Sequence, residues 1–225
     1  MEGRINAIVT GGTCGLGKAL VKTLLKNGCN VATFGRRPDL VRTLIEEVGN
    51  ASLFAESCDL TNLEQVSSFL RKATIAFGAQ DLIILNAGEL GPTPLKSVKE
   101  NSILYFRLVF ETNFFSNVWL IKEVLGGRKS PIAIVHVTSD SASNAYAGWG
   151  AYSSSKIAMD HLLRIIQAEE RVNMVTAFSL DPGDMDTEMH RRALPEDNPD
   201  SLKKPEDAAG EVLAEIWKRC GFNVR

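Results

Sequence analysis

Ile5-Asn6-Ala7-Ile8-Val9-Thr10-Gly11-Gly12-Thr13-Cys14-Gly15-Leu16-Gly17 is the stretch whose reading decides the fold. Ile5 to Thr10 is a short apolar run, the pattern of a buried strand. The next seven residues hold four glycines, and an apolar helical run from Ala19 to Leu25 follows and stops at Asn27-Gly28. A strand that turns through glycines into a helix lets backbone N–H groups approach a pyrophosphate, and the helix N-terminus adds partial positive charge. Gly11, Gly15 and Gly17, with Thr13, Cys14 and Leu16 between them, are therefore candidate nucleotide-phosphate contacts. The plainer reading is a tight turn that needs glycine for geometry alone. The density of glycines after the first strand of an alternating chain favours the cofactor site.

That alternation runs outward from the turn. Asn30 to Phe34 reads as a second strand ending at Gly35-Arg36-Arg37, and a helix begins at Pro38 and stops at Gly49-Asn50. Ser52 to Ala55 is a third strand closing on Cys58-Asp59-Leu60-Thr61, followed by a helix from about Asn62 to Phe77. Asp81 to Leu85 is a fully buried fourth strand ending at Asn86-Ala87-Gly88, and Glu89 to Pro94 is a loop. A helical stretch then reaches about Leu125 with Asn113 in its middle; it exceeds the usual globular length and is expected to bend or break. Pro131 to Val137 is a fifth strand, Thr138 to Ala147 a polar loop, and a helix carrying Tyr152 and Lys156 runs to about Glu170. Met174 to Leu180 is the sixth strand. Such alternation with right-handed crossovers predicts an α/β fold, a Rossmann-like doubly wound parallel sheet of six to seven strands with helices on both faces. No linker divides the chain, so a single dinucleotide-binding domain is expected over residues 1–225. Residues 183–204 form a substrate loop region, and residues 205–225 a last helix and a short tail with room for no more than a short edge strand.

Composition narrows the function. The 225 residues carry a formal net charge of −2 and are 44% hydrophobic, as in ordinary soluble domains. That balance offers no electrostatic reason to expect nucleic acid or an anionic membrane as partner. No apolar run approaches the roughly eighteen residues of a membrane span, and the N-terminus enters a strand with no signal-peptide pattern. Cys14, Cys29, Cys58 and Cys220 lack Cys-x-x-Cys spacing and do not cluster with His136, His161 and His190. No metal site is expected, and reduced thiols fit a cytoplasmic protein. His136 lies in an apolar strand run and reads as a packed structural residue.

Tyr152-Ser153-Ser154-Ser155-Lys156 places a phenol and an ammonium at i and i+4 on one helix face. A cation beside a phenol favours phenolate and lowers its pKa, so Lys156 is expected to tune Tyr152 for proton transfer to or from an alcohol oxygen. Alone, the pair is common by chance, and its bland counterpart is a solvated lysine beside a half-buried tyrosine.

Taken with the other motifs, the chain resembles the short-chain dehydrogenase/reductase family from about Ile5 to Thr187, with classical-type motifs and a shortened C-terminus. Thr10-Gly11-x-x-x-Gly15-x-Gly17 matches that family's glycine motif, and Asn86-Ala87-Gly88 its signature after the fourth strand. Ser139, Tyr152 and Lys156 match its catalytic residues, and Asn113 falls where it places a helix asparagine. The resemblance implies an adenine contact at Asp59-Leu60, nicotinamide contacts at Pro182, Gly183 and Thr187, and a water anchored by Asn113 in a proton relay. Sheet geometry agrees: Gly11, Asp59, Asn86, Ser139 and Pro182 all follow predicted strands, whose C-terminal ends form the ligand crevice of a parallel sheet. Tyr152 would donate a proton to a carbonyl oxygen that Ser139 also hydrogen-bonds, while Lys156 would bond the nicotinamide ribose.

The second strand ends without the acidic residue that binds the ribose hydroxyls of NAD. Arg36 and Arg37 stand there instead, and guanidinium geometry suits a 2′-phosphate, so NADP(H) is preferred over NAD(H). The bland alternative is a solvated start to the next helix. Cys14 occupies a position where many relatives carry a small polar residue, and its dull reading is a side chain that fits. The acidic segment after Gly183 offers little apolar surface, which predicts a small or polar substrate; Trp149, Tyr146 and Phe114 could form an apolar wall, though each is more often core. The expected protein is thus an NADP(H)-dependent oxidoreductase acting on a small carbonyl or alcohol. It is expected as a homodimer, or else a homotetramer, built on the helices around Phe110 to Leu125 and after Lys156. The alternatives are a non-catalytic NADP(H)-binding sensor or scaffold, which would need no proton donor, and a dehydratase or epimerase, for which no sugar-nucleotide domain has room.

Overall fold

The computed structural model of the chain describes residues 4–170 and 174–222. Six strands are described: β1 (Asn6–Thr10), β2 (Asn30–Gly35), β3 (Leu53–Ser57), β4 (Leu82–Leu85), β5 (Ile132–Val137) and β6 (Val175–Leu180). They pair in parallel in the order β3-β2-β1-β4-β5-β6. The expected Rossmann-like doubly wound sheet is therefore present. Its strand order reverses between β1 and β4, which opens a crevice at their C-terminal ends.

Alternate residues of each strand serve opposite faces. Ala7 and Val9 of β1 face α1 (Gly15–Lys26) and α8 (Pro205–Cys220), where Leu20, Leu24, Val212 and Ile216 are buried. Ile8 belongs to the other face with Ile83, Leu85 and Ile134, packed by Phe69 of α3 (Leu63–Phe77) and Leu120 of α5 (Ser116–Leu125). Met159 and Leu163 of α6 (Gly150–Glu169) complete that layer. Burying each such aliphatic side chain is worth roughly 1.5–3 kcal/mol, so helices on both faces hold the sheet between two cores. Helix α2 (Pro38–Val48) begins with proline at its first turn and ends on Gly49 in the left-handed region.

The helical stretch before Leu125 starts only at Ile103 and runs on without a break, widened in its middle by one π-helical turn. It is α4 (Ile103–Phe110), a π-helical turn over Glu111–Phe115, and α5. The wide turn loosens backbone carbonyls, and neighbouring side chains take them up. Ser116 Oγ donates to the Glu111 carbonyl at 2.7 Å, and Asn117 Nδ2 donates to the Asn113 carbonyl at 2.9 Å. The second departure is in residues 183–204, where a short helix α7 (Glu188–Ala193) forms behind a Thr187 cap. Thr187 Oγ1 accepts from the His190 N–H at 3.2 Å, a capping bond that the acidic composition of the segment obscured. Residues 223–225, where the sequence leaves room for a short edge strand, lie outside the described residues.

Candidate active site

The glycine turn is shaped by close approach. A Cβ at Gly17 would overlap the Gly11 carbonyl oxygen and lie 2.5 Å from Asn86 Nδ2, so only glycine lets α1 start where it does. Gly11 and Gly15 have φ of 68° and 51°, a left-handed region that glycine enters without strain. Cys14 occupies the N-cap of α1 but makes no side-chain cap, and the first turn carries no acid. The N–H groups that open α1 are therefore left to an external anion.

Thr10 binds the neighbouring strand end to this turn. Its Oγ1 accepts from the Asn86 and Ala87 N–H groups at 3.0 and 2.9 Å, and Asn86 Nδ2 donates back to the Thr10 carbonyl at 2.9 Å. Asp59 Oδ1 accepts from Thr61 N and Oγ1, both at 2.9 Å, which fixes the loop after β3. At the end of β2, Arg36 reaches across the crevice to Glu89 at 3.4 Å, and Arg37 reaches Glu188 of α7 at 3.6 Å. Both guanidiniums stay about half exposed.

Beyond β5 lie the candidate catalytic residues. Ser139 Oγ donates to Asp140 Oδ1 at 3.1 Å, and Tyr146 OH donates to Asp140 Oδ2 at 2.6 Å. The Tyr146 hydroxyl, against the effect of desolvation, holds the Asp140 carboxyl below its usual range. Lys156 is buried, and its Nζ donates to the Val137 carbonyl at 2.7 Å and stands 3.4 Å from His136 Nε2. Burial lowers its pKa to about 8. Its Nζ stands over the Tyr152 ring, 5.4 Å from the ring centre. Desolvation, then the Asp181 and Asp140 carboxylates, push Tyr152 above its ordinary value. This reverses the expected sign: helix spacing brings the two side chains together, but burial of the phenol dominates and the lysine donates to β5 instead.

A cavity of about 660 Å³ joins these parts. It runs from the glycine turn past Arg36, Arg37, Asp59 and Leu60 to Ser139, Tyr152 and Lys156. Pro182, Gly183, Thr187 and α7 close one side, with Arg192 Nη2 donating to the Gly91 carbonyl at 3.2 Å across the opening. Leu90, Trp149, Met189 and Ala193 supply an apolar wall, with the Trp149 ring edge-on to Tyr152 at 5.7 Å.

A family model described as short chain dehydrogenase matches residues 6–198. The chain belongs to the short-chain dehydrogenase family. It is an oxidoreductase of the class acting on CH–OH and C=O groups. A benzil reductase ((S)-benzoin forming) of Saccharomyces cerevisiae is 32% identical over 193 residues, covering 82% of this chain and 73% of the relative. A benzil reductase ((S)-benzoin forming) of Bacillus subtilis is 28% identical over 237 residues, covering 94% and 93%. Among solved structures, an alcohol dehydrogenase from the archaeon Thermococcus sibiricus, complexed with 5-hydroxy-NADP, has a TM-score of 0.82 at 27% identity. That match covers 99% of this chain and 94% of that one.

Within this family member, the expected cofactor contacts Gly11, Thr13, Cys14, Gly15, Leu16 and Gly17 all line the cavity, as do Asn86, Ala87 and Gly88. Asn113 does not. It is buried behind the wall, where Oδ1 accepts from Glu89 N at 2.7 Å and Nδ2 donates to the Glu89 carbonyl and Ser155 Oγ, both at 2.9 Å. Of the three aromatic candidates only Trp149 reaches the cavity; Phe114 packs on the sheet-facing core and Tyr146 is exposed. Sequence reasoning missed Glu89, Asp140 and Met189 as lining residues. Glu89 directly follows Asn86-Ala87-Gly88 and Asp140 directly follows Ser139, so adjacency to a strand-end motif was the available signal. Among the described residues no group of His, Cys, Asp and Glu could hold a metal ion, and no helix is long and apolar enough to cross a membrane.

Proposed function

We propose that the protein is an NADP(H)-dependent reductase of small, uncharged ketones or aldehydes, working in reverse as an alcohol dehydrogenase, with Tyr152 as the proton donor. The observation that carries this reading is one continuous cavity with a phosphate-shaped glycine turn at one end and Ser139, Tyr152 and Lys156 at the other.

The turn at Gly11, Gly15 and Gly17 suits a pyrophosphate: these glycines line the cavity at the start of α1, whose first turn carries no acid and no side-chain cap. Arg36 and Arg37 line the mouth and suit a 2′-phosphate, which supports NADP(H) over NAD(H). A nicotinamide held towards Pro182, Gly183 and Thr187 supplies or takes the hydride. The chain's own residues do the rest. Tyr152 keeps its proton at neutral pH because desolvation and the acids near it oppose phenolate, and a protonated phenol is what carbonyl reduction requires. Ser139 OH can turn from Asp140 to a substrate oxygen and stabilise the charge that develops there. Lys156, at about 8, carries its charge at pH 7. Asn113 holds the Glu89 backbone that forms the cavity wall, and a relay water anchored by Asn113, as the family resemblance implies, remains part of the proposal.

Asp140 and Asp181 set a negative field at the reaction centre, which disfavours anionic substrates such as keto acids. The apolar wall of Leu90, Trp149, Met189 and Ala193 favours an apolar, aromatic-bearing carbonyl, in keeping with the names of the benzil reductase relatives. The four free thiols support a reducing, cytoplasmic setting. Exposed Ile103, Leu104 and Leu108 of α4, with Ile157 and Ile165 of α6, support a homodimer closed by these helices.

Replacing Tyr152 with Phe should lower kcat for carbonyl reduction by roughly a hundredfold to ten-thousandfold while NADPH binding, read by fluorescence titration, stays within threefold of wild type. Undiminished turnover in that variant would sink the reading. Tight NADPH binding with no oxidation across a broad carbonyl panel would instead favour a cofactor-sensing protein.

A further inference from the structure

A buried pair outside the cavity has no role in the mechanism above. His136, one residue before the end of β5, is 1% exposed, and its Nδ1 lies 2.8 Å from Asp160 Oδ1 on α6. Asp160 Oδ2 accepts from Thr138 Oγ1 at 2.7 Å. On the far side of the ring, His136 Nε2 lies 3.4 Å from Lys156 Nζ. The histidine therefore bridges a carboxylate and the lysine of the proposed catalytic pair.

The chemistry of the three groups leaves one arrangement. A carboxylate only accepts hydrogen bonds and an ammonium only donates them. Asp160 must take a proton donated by Nδ1, so Nε2 carries the lone pair and accepts from Lys156. We infer that Asp160 and His136 form a positioning dyad that holds the Nε2 acceptor against the Lys156 ammonium, keeping that lysine charged and aimed at the cavity.

Lys156 needs such a partner because it is buried and has three N–H donors. Val137 O takes one at 2.7 Å, His136 Nε2 receives a second, and the third is left for the cavity that Lys156 lines. Without His136, one ammonium donor would be buried against apolar β5 and α6, and the charged form would lose ground. The ring itself stays neutral, since burial and then the Lys156 charge push it down to about 4. The titratable groups around the dyad and the lysine are Asp160, Lys156 and Tyr152 on α6 and Asp181 after β6. Asp160 and Asp181 favour the charged lysine, so the dyad works with the local field.

This inference rests on Lys156 being the partner of Tyr152 in carbonyl reduction, and two measurements separate its failure from failure of that reading. The first needs no turnover. In the intact wild-type protein, nitrogen-15 NMR of labelled histidine should show His136 as the neutral Nδ1–H tautomer between pH 5.5 and 7.5. An Nε2–H tautomer or an imidazolium in that range would overturn the dyad, whatever the enzyme's activity and whether or not any variant folds. The second compares variants by their pH profiles of kcat. His136→Leu removes the acceptor, while His136→Gln keeps an amide oxygen near the Nε2 position. The Leu variant should lose about tenfold or more in kcat, with its alkaline limb moved to lower pH by about a unit, whereas the Gln variant should stay within about threefold of wild type. A Leu variant with unchanged kcat and an unshifted limb, or a Gln variant as impaired as the Leu variant, would overturn the proposal. Failure of the functional reading shows separately, as undiminished turnover in Tyr152→Phe.

Discussion

Arg36 and Glu89 meet at 3.4 Å across the crevice, so the residue chosen for a 2′-phosphate already has a carboxylate partner. A charge-assisted hydrogen bond contributes roughly 1.5–3 kcal/mol. Replacing Arg36 with Ala should therefore weaken NADPH about tenfold or more in a binding titration and leave NADH within twofold. Glu89→Gln removes the competing charge and should tighten NADPH; a weakened affinity would show that Glu89 serves the cofactor rather than opposing it. The arginines were legible because they stand where a strand must end, and Ser139, Tyr152 and Lys156 because their intervals are local or carried by known motifs. Glu89 was not, since its meaning depends on strand order, which brings the end of β4 to within reach of a residue 53 positions earlier. The same blindness hid the Lys156 geometry: i and i+4 spacing says that two side chains share a face, not that β5 offers a carbonyl to one of them.

The π-helical turn between α4 and α5 is the element that carries most local detail. Length alone predicted an irregularity before Leu125, a bend or a break, but not its kind, because the wide turn is sustained by Ser116 and Asn117 bonding carbonyls one turn behind. The turn directs Asn113 inward to three bonds with Glu89 and Ser155. Removing them strands buried backbone polar groups, at roughly 1–3 kcal/mol. Asn113→Ala should accordingly lower Tm by about 4–8 °C in a calorimetric scan, taking roughly 2 kcal/mol and the usual sensitivity of a chain this size. An unchanged Tm would remove the strut role and leave only the relay. Strands and most helices were legible from their periodicity, and their alternation implied the parallel sheet that the structure has. Helix α7 was not, because a six-residue helix rests on the Thr187 cap rather than on a repeating apolar face.

For the molecule as a whole, buried charge makes stability depend on pH. His136 is held at about 4 against an ordinary 6.5, by burial first and the Lys156 charge second. A depressed histidine binds its proton more readily in the unfolded chain, so its contribution is intact above about pH 6.5 and is lost as pH falls towards 4. The depression corresponds to about 3 kcal/mol. Asp160, also held low despite its desolvation, gives way in the same direction on acidification. Urea unfolding should show wild type losing stability steeply from pH 6.5 to 4.5, with His136→Gln clearly flatter; equal slopes would place the acid sensitivity elsewhere. The two ion pairs that span the crevice, Arg36 with Glu89 and Arg37 with Glu188, carry a different consequence. A phosphorylated ligand must displace carboxylates from guanidiniums that are half in solvent, where the Debye length is about 8 Å at physiological ionic strength. Salt weakens both partnerships, but it weakens the attraction for a doubly charged phosphate more. Discrimination between the two nicotinamide dinucleotides is thus set partly by the medium, and it narrows as ionic strength rises.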